Sequence, residues 1–391
     1  MTNIFESELV DTAEHHGELR SSVRKLVAPF GRSYFQGVTK RNEKPTELWD
    51  QLGAAGFLGV HISEEYGGGG GGLADYNIVI EETAALGCPL LSMVIGSITG
   101  PIIEAHGSPA MRDDWLSGLA DGSRRIAFAI TEPDAGTNTH KVSTTARRDG
   151  DGWRLSGTKY WTSAVDESEA LIVVARGDTL DAAGRSPLSL FLVAADAPGI
   201  TMSPIETALH VPETQFTVFF DEVELGPEAL IGKEGDGLRH VFVGLNPERI
   251  CAAAINNGIS RFAIDKGAQY AVDRSVWSTP IGAHQGVAHP LASAYIGVQQ
   301  ARLMTARAAQ LYDAGNPAAG EAANMAKFAA AESSLVALDQ AIQTHGGNGF
   351  AIEYGLADLW FIARLHKTAP VSREMILNFV AQHSLGLPKS Y

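Results

Sequence analysis

Twice along this chain the spacing of apolar residues changes, and those two changes limit its fold more than any single motif does. Up to residue 124 apolar side chains recur at helical intervals: Leu19, Val23, Leu26 and Val27 share one face, and Leu48, Leu52 and Phe57 carry the pattern on after Pro45. From Arg125 to about Gly232 short strand-like runs take over, at 126–130, 153–161, 170–175, 188–194 and 216–223, with Asp149-Gly150-Asp151-Gly152 as a hairpin signal. Beyond residue 235 the helical spacing returns. Asn246-Pro247 starts or kinks an Ala-rich helix reaching Val272, Gln285 opens a second toward Leu311, and Gly346-Gly347 stops a third. The expected class is therefore α+β: an N-terminal helical domain (1–124), a small β barrel or sandwich (125–235), and a C-terminal antiparallel helix bundle (236–391).

A chain of 391 residues can bury a large core. Its net charge of −15 opposes binding to nucleic acid or anionic membranes, both of which reward basic surfaces. Cys88 and Cys251 have no spacing that suggests a disulfide framework or a zinc site, so no metal is expected. The first residues, with Glu6, Glu8, Asp11, Glu14 and Glu18, lack the basic start and apolar core of a signal peptide. The longest apolar run, 90–103, is too short to span a bilayer and is broken by Gly96, Gly100 and Pro101. The expectation is a cytoplasmic protein without membrane insertion.

Polar chemistry concentrates between Phe128 and Ser163. Phe-Ala-Ile-Thr-Glu-Pro-Asp-Ala-Gly-Thr-Asn runs from 128 to 138, and Pro133, Asp134 and Gly136 end the strand where backbone N–H groups and hydroxyls are left over. Trp161, Thr162 and Ser163 then offer stacking and hydrogen bonds to a planar polar ligand. Gly67 to Gly72, by contrast, satisfies a dinucleotide-binding glycine pattern only because all six residues are glycine; no strand precedes it, and a flexible loop is expected.

Thr-Glu-Pro-Asp-Ala-Gly-Thr-Asn at 131–138, with Lys-Tyr-Trp-Thr-Ser at 159–163, resembles the flavin-binding middle of the acyl-CoA dehydrogenase family. Arg274 to Gln285 resembles a second signature, with Trp277 in place of the usual Phe, and Gln-Thr-His-Gly-Gly-Asn-Gly-Phe at 343–350 a third. The resemblance implies that Phe128, Ile130, Thr131, Trp161 and Ser163 surround the flavin ring of FAD and that Thr137 meets the CoA thioester. It also implies that Arg274, Trp277, His284, Gln285, Gln343, Gly346 and Gly347 hold the adenosine and pyrophosphate of a neighbouring subunit's FAD. An Arg fork suits pyrophosphate, and glycines let backbone N–H groups approach it. A homotetramer, with electron-transferring flavoprotein as electron acceptor, is what the family implies.

The family's reaction needs a carboxylate to take the α proton of an acyl-CoA substrate, placed where burial raises its pKa. Many members carry that Glu near the C-terminus, where this chain reads His366-Lys367-Thr368. A smaller group, resembling isovaleryl- and long-chain acyl-CoA dehydrogenases, supplies it immediately before an Arg on an earlier helix. Glu248 before Arg249 matches that position. Glu248 is the expected base, Arg249 tunes it, and Asn246 lies near CoA. His366 is the rival base, expected to be biased by Lys367 toward its protonated form; by resemblance its backbone N–H polarises the thioester carbonyl, and Thr368 touches the flavin side chain. A flavin oxidase or monooxygenase of the same fold, or a non-catalytic subunit of a mixed assembly, are the alternatives. The segments 210–214 and 358–362 depart from the family pattern. No hydrolase, zinc-protease or P-loop motif is present.

Overall fold

The computed structural model describes residues 9–10, 13–178, 180 and 186–389; Glu6, Glu8 and Asp11 lie outside them. Six helices come first: α1 (Glu14–Val27), α2 (Gly31–Lys40), α3 (Thr46–Ala54), α4 (Leu73–Ala85), α5 (Leu91–His106) and α6 (Pro109–Asp121). Eight strands follow, β1 (Ile126–Ala129), β2 (Thr145–Asp149), β3 (Gly152–Ser163), β4 (Ala170–Arg176), β5 (Leu188–Ala194), β6 (Ile200–Pro204), β7 (Gln215–Leu225) and β8 (Leu230–Ile231). They form one sheet in the order β6-β7-β3-β2-β4-β5-β8, with β1 parallel to β4 through Ile126 opposite Ala170. The glycine hairpin joins β2 to β3, Asp149 facing Gly152. Strands β2, β6 and β8 were not legible: they carry charge, Pro or only two residues, so no run of alternating apolar side chains marks them.

The chain ends in α7 (Gly237–Asp273), a two-residue ribbon of β9 (Ser275–Val276) and β10 (Thr279–Pro280), α8 (Gln285–Asp313), α9 (Ala319–His345), α10 (Trp360–Leu365) and α11 (Arg373–Phe379). Helices α7 and α9 run parallel: a Cβ on Gly320 would lie 3.7 Å from Asn246, and one on Gly267 3.4 Å from Ala341. The bundle shares its core with the N-terminal helices, since Val23, Leu48, Val79 and Ile80 cluster with Ile255, Ile259, Val298 and Leu338. A buried ionic knot ties the same helices. Glu81 and Glu82 of α4 accept from Arg261 of α7 at 2.7 Å each, from Arg302 of α8 at 2.8 Å, and from Arg20 and Arg24 of α1 at 2.8 and 2.7 Å.

Two local expectations are corrected. Pro247 does not start α7, which begins at Gly237 and runs through it. Lacking an N–H, Pro247 orphans the carbonyl four residues back; the Tyr312 hydroxyl donates to that Val243 oxygen at 3.0 Å, so the helix continues. The glycine run is not a loose loop. Its N–H groups bond back to residues 59–63, Gly69 to Gly59 O at 3.0 Å, Gly70 to Ile62 O at 2.9 Å and Gly71 to Val60 O at 2.9 Å. A Cβ on Gly68 would fall 2.1 Å from the Ile62 carbonyl, so this close approach requires glycine. Both cysteines are buried and free. Among the described residues, no helix is long and apolar enough to cross a membrane.

Candidate active site

The edge of the sheet nearest α5 and α7 is built by alternation. Ala127 and Ala129 of β1 point into the sheet core with Trp153 and Val173. Phe128 and Ile130 point the other way and stay half-buried against Ile98 and Ile102 of α5 and Val241 and Leu245 of α7. The strand end is fixed by two charged side chains that the sequence reading passed over. Glu132 accepts from Ser143 N and Oγ at 2.6 Å each, from Thr144 N at 2.9 Å and Oγ1 at 2.6 Å, and from Lys159 Nζ at 2.9 Å. Lys159 also donates to Ile130 O at 3.1 Å, and Tyr160 N to Thr131 O at 2.8 Å, which locks β1 against β3. Burial alone would raise the Glu132 carboxyl, but Lys159, Ser143 and Thr144 hold it down at about 2. Their signal in the sequence was a Lys at an inward strand position that needs a carboxylate partner, with Glu132 and Asp134 as the candidates in the preceding motif.

Beside this edge Trp161 is 46% exposed and holds a left-handed φ of 57°, a conformation that costs a bulky residue about 1–3 kcal/mol and collects at functional sites. Thr162 is buried with its hydroxyl unpartnered. Ser163 donates to Gln215 Oε1 at 2.7 Å. Thr137 is exposed on the turn beyond the bridge between Glu132 and Ala135.

Glu248 stands in the interior of α7, one turn past Leu245, so the preference of acids for helix starts does not account for it. Its side chain is half-buried. Burial pushes its carboxyl up to about 7, with Arg249 and then Lys327 pulling it back. Arg249 is held by Asn246, whose Oδ1 accepts from Nη1 at 2.9 Å. Lys327 of α9, another residue the sequence reading missed, is 1% exposed and donates to the Val371 carbonyl.

His366 ends α10, buried, with Nδ1 unpartnered. Burial first and the Lys327 charge second lower it to about 3, so the ring is neutral. The expectation of a protonated imidazole is reversed: neighbouring cations oppose protonation, and the buried ring cannot be charged cheaply. Thr368 is exposed and accepts from Arg364 at 3.1 Å.

The other predicted residues gather elsewhere. Arg274, Trp277, His284 and Gln285 are exposed at the α7–α8 junction, with Trp277 94% exposed at φ 54° on the ribbon tip. Gln343, Gly346 and Gly347 close α9 at the same end, where Tyr270 stacks on His345 at 4.2 Å. A Cβ on Gly346 or Gly347 would meet nothing within 4 Å, so these backbones border open space that a ligand can approach. From Glu248 to Arg274 the axis of α7 measures about 40 Å at about 1.5 Å per residue. The two groups of expected residues are thus well separated along the bundle.

Residues 13–123, 127–223 and 235–385 match, in order, the N-terminal, middle and C-terminal domains of acyl-CoA dehydrogenase. The chain belongs to the acyl-CoA dehydrogenase family. It is 51% identical to acyl-CoA dehydrogenase FadE12 of Mycobacterium tuberculosis over 97% of its own length and 98% of that protein's. It is 33% identical to the glutaryl-CoA dehydrogenase of Desulfococcus multivorans, covering 95% of this chain and 96% of that one. Among solved structures, glutaryl-coenzyme A dehydrogenase in complex with glutaryl-CoA superposes with a TM-score of 0.92, at 30% identity and 97% coverage of both chains. The acyl-CoA dehydrogenase architecture of helices, β domain and helix bundle is therefore this chain's own.

Proposed function

We propose that this protein converts an acyl-CoA thioester to the 2-enoyl-CoA, with Glu248 taking the α proton. It is an FAD-dependent oxidoreductase; when bound, FAD accepts the hydride that leaves the β carbon. The residues present fit that group. Phe128, Ile130, Thr131, Trp161 and Ser163 offer a half-exposed edge with a strained, solvent-facing indole. Gly346 and Gly347 offer open backbone, and Arg274 and Gln343 offer exposed polar side chains for a phosphate-bearing moiety.

The observation that carries the reading is the Glu248 carboxyl, raised by burial to about 7 on α7, one turn past Leu245, which packs in the same cluster as Phe128 and Ile130. A base poised near the working pH holds its ionised form and still gains from accepting a proton. Arg249 limits how far burial can neutralise it, and Asn246 fixes that guanidinium. His366, neutral and buried, is not the base, and its backbone N–H, which donates to Arg364 O, is not free to orient the thioester carbonyl as the resemblance implied; Thr137 and Asn246 flank the CoA portion and Thr368 the flavin side chain. The separation of the two groups supports an assembly in which Arg274, Trp277, His284, Gln285, Gln343, Gly346 and Gly347 complete a neighbour's FAD site, a homotetramer by family. Electron-transferring flavoprotein is the expected oxidant of the reduced enzyme.

The test is anaerobic flavin bleaching across a panel of acyl-CoAs. Glu248→Gln should stay yellow and FAD-loaded while no longer bleaching, and the wild-type rate should fall as pH drops through about 7, because the protonated carboxyl cannot accept. Bleaching of Glu248→Gln at a near wild-type rate would remove Glu248 from the mechanism.

A further inference from the structure

We propose that Lys327 is a positioning residue of this site: from α9 its buried ammonium faces Glu248 and holds it in the ionised form that can accept a proton. The inference rests on the reading of Glu248 as the base.

The geometry begins with the parallel pairing of α7 and α9. With Gly320 beside Asn246 and Ala341 beside Gly267, Lys327 is rooted about one and a half turns beyond Glu248 in level. Helical side chains lean toward the N-terminus, which carries the ammonium back toward Glu248 and Arg249. Nothing in a structural role demands a lysine at a site 1% exposed, since burying an ammonium costs several kcal/mol unless it is compensated, on the order of the Born penalty after relaxation. One compensation is visible, the Nζ bond to the Val371 carbonyl. It is not needed to pin that segment. Lys367 Nζ and Arg373 Nε already grip Glu332 of α9 at 3.0 and 2.8 Å on either side of Val371. The ammonium is therefore retained for what else it faces.

Around Glu248 the charged and titratable groups are few. Arg249 comes from its own helix, with Nη1 committed to Asn246 Oδ1. Lys327 comes from α9. The neutral His366 comes from the end of α10, and the Cys251 thiol, pushed up to about 12 by burial, is neutral as well. Lys327 in turn faces Arg249, Glu248, Glu374 and Glu332. Two cations thus bear on one carboxylate. Burial lowers Lys327 itself to about 8, so the ammonium is charged across the range in which Glu248 titrates.

The experiment uses FAD-loaded full-length protein, wild type, Lys327→Met, Lys327→Arg and Glu248→Gln. Flavin bleaching is followed against pH, and the Glu248 carboxyl stretch is titrated by infrared difference against Glu248→Gln. In Lys327→Met the acid limb and the infrared titration should both move up by about one pH unit, the low end of what an adjacent opposite charge supplies. Bleaching at high pH should stay within a few-fold of wild type, and Lys327→Arg should restore the limb. An unmoved carboxyl titration in folded Lys327→Met overturns the inference whether or not Glu248 is the base; an active Glu248→Gln overturns only the reading of the base. Should Lys327→Met not fold, the coupling is read in reverse. In Glu248→Gln the carbon-13 lysine resonance of Lys327 should titrate lower than in wild type, and an unchanged titration there is equally fatal.

Discussion

Lys159→Met tests the account of how the β1–β3 edge is held. The Glu132 carboxyl, lowered from 4.5 to about 2, corresponds to roughly 3 kcal/mol of preference for its charged form at about 1.36 kcal/mol per pKa unit. Lys159, lowered by burial from 10.5 to about 8, bears a cost of similar size. The two shifts pull in opposite directions for stability, so the intact pair roughly breaks even while a broken pair does not. Removing the ammonium strands a buried carboxylate and frees the Ile130 carbonyl, at about 3–5 kcal/mol. The lower figure corresponds to about 150-fold faster opening of β1 and β3, read by hydrogen exchange of peptides covering residues 126–131 and 152–163.

The pH dependence gives the sign. In wild type the Glu132 contribution is complete above its unfolded pKa and is lost as pH falls from there through about 2; the Lys159 cost is present below about 8 and is relieved at higher pH. In Lys159→Met the carboxyl loses its counter-charge and titrates higher, so acidification from pH 8 to 5 should shrink the deficit by protonating it. Adding Glu132→Gln to Lys159→Met should recover at least half of the lost protection. Exchange within threefold of wild type at pH 8, or a deficit that grows on acidification, would refute the reasoning.

Two further outcomes follow from other contacts. Arg261→Met removes the guanidinium that bridges Glu81 and Glu82 and leaves two adjacent buried carboxylates to Arg20, Arg24 and Arg302; urea unfolding should show a loss of about 3–5 kcal/mol, and a loss below about 1 kcal/mol would contradict the knot. Trp277→Ala should change chain stability by no more than about 0.5 kcal/mol, as an exposed tip position. The same variant should lower both flavin content and assembly size in sedimentation, and unchanged values would count against a site completed by a neighbour.

The two switches in apolar spacing made the α+β class legible because periodicity is a local property, carried by residues a few positions apart. The helices α8 and α9 and the long strands β3, β4, β5 and β7 follow from it within a few residues. What stayed hidden depends on contacts distant in sequence. Nothing near Pro247 says that Tyr312, on another helix, will take the carbonyl it orphans, so a helix break and a continuous helix could not be told apart. Nothing near the glycine run says that residues 59–63 will accept its N–H groups. Glu132 and Lys159 are 27 positions apart and read as a polar turn and a strand charge until the register brings them together.

The same logic explains why a base can be carried by α7. A carboxylate held from a loop depends on that loop's packing, whereas α7 is fixed along its length by the Tyr312 bond at Val243, by close contact of Gly244 with Ile98 of α5, and by the Arg261 knot two and more turns on. A side chain on such a rod has little freedom beyond its own rotamers, and placement within about 0.5 Å is what proton transfer demands. The C-terminal segment then supplies no base. His366, Lys367 and Val371 can be spent on packing against α9, and Lys327 can face the base from the other side. With Glu248 proposed as the base, the tail need only pack against α9, and such packing tolerates a neutral, buried residue like His366 where a base could not function.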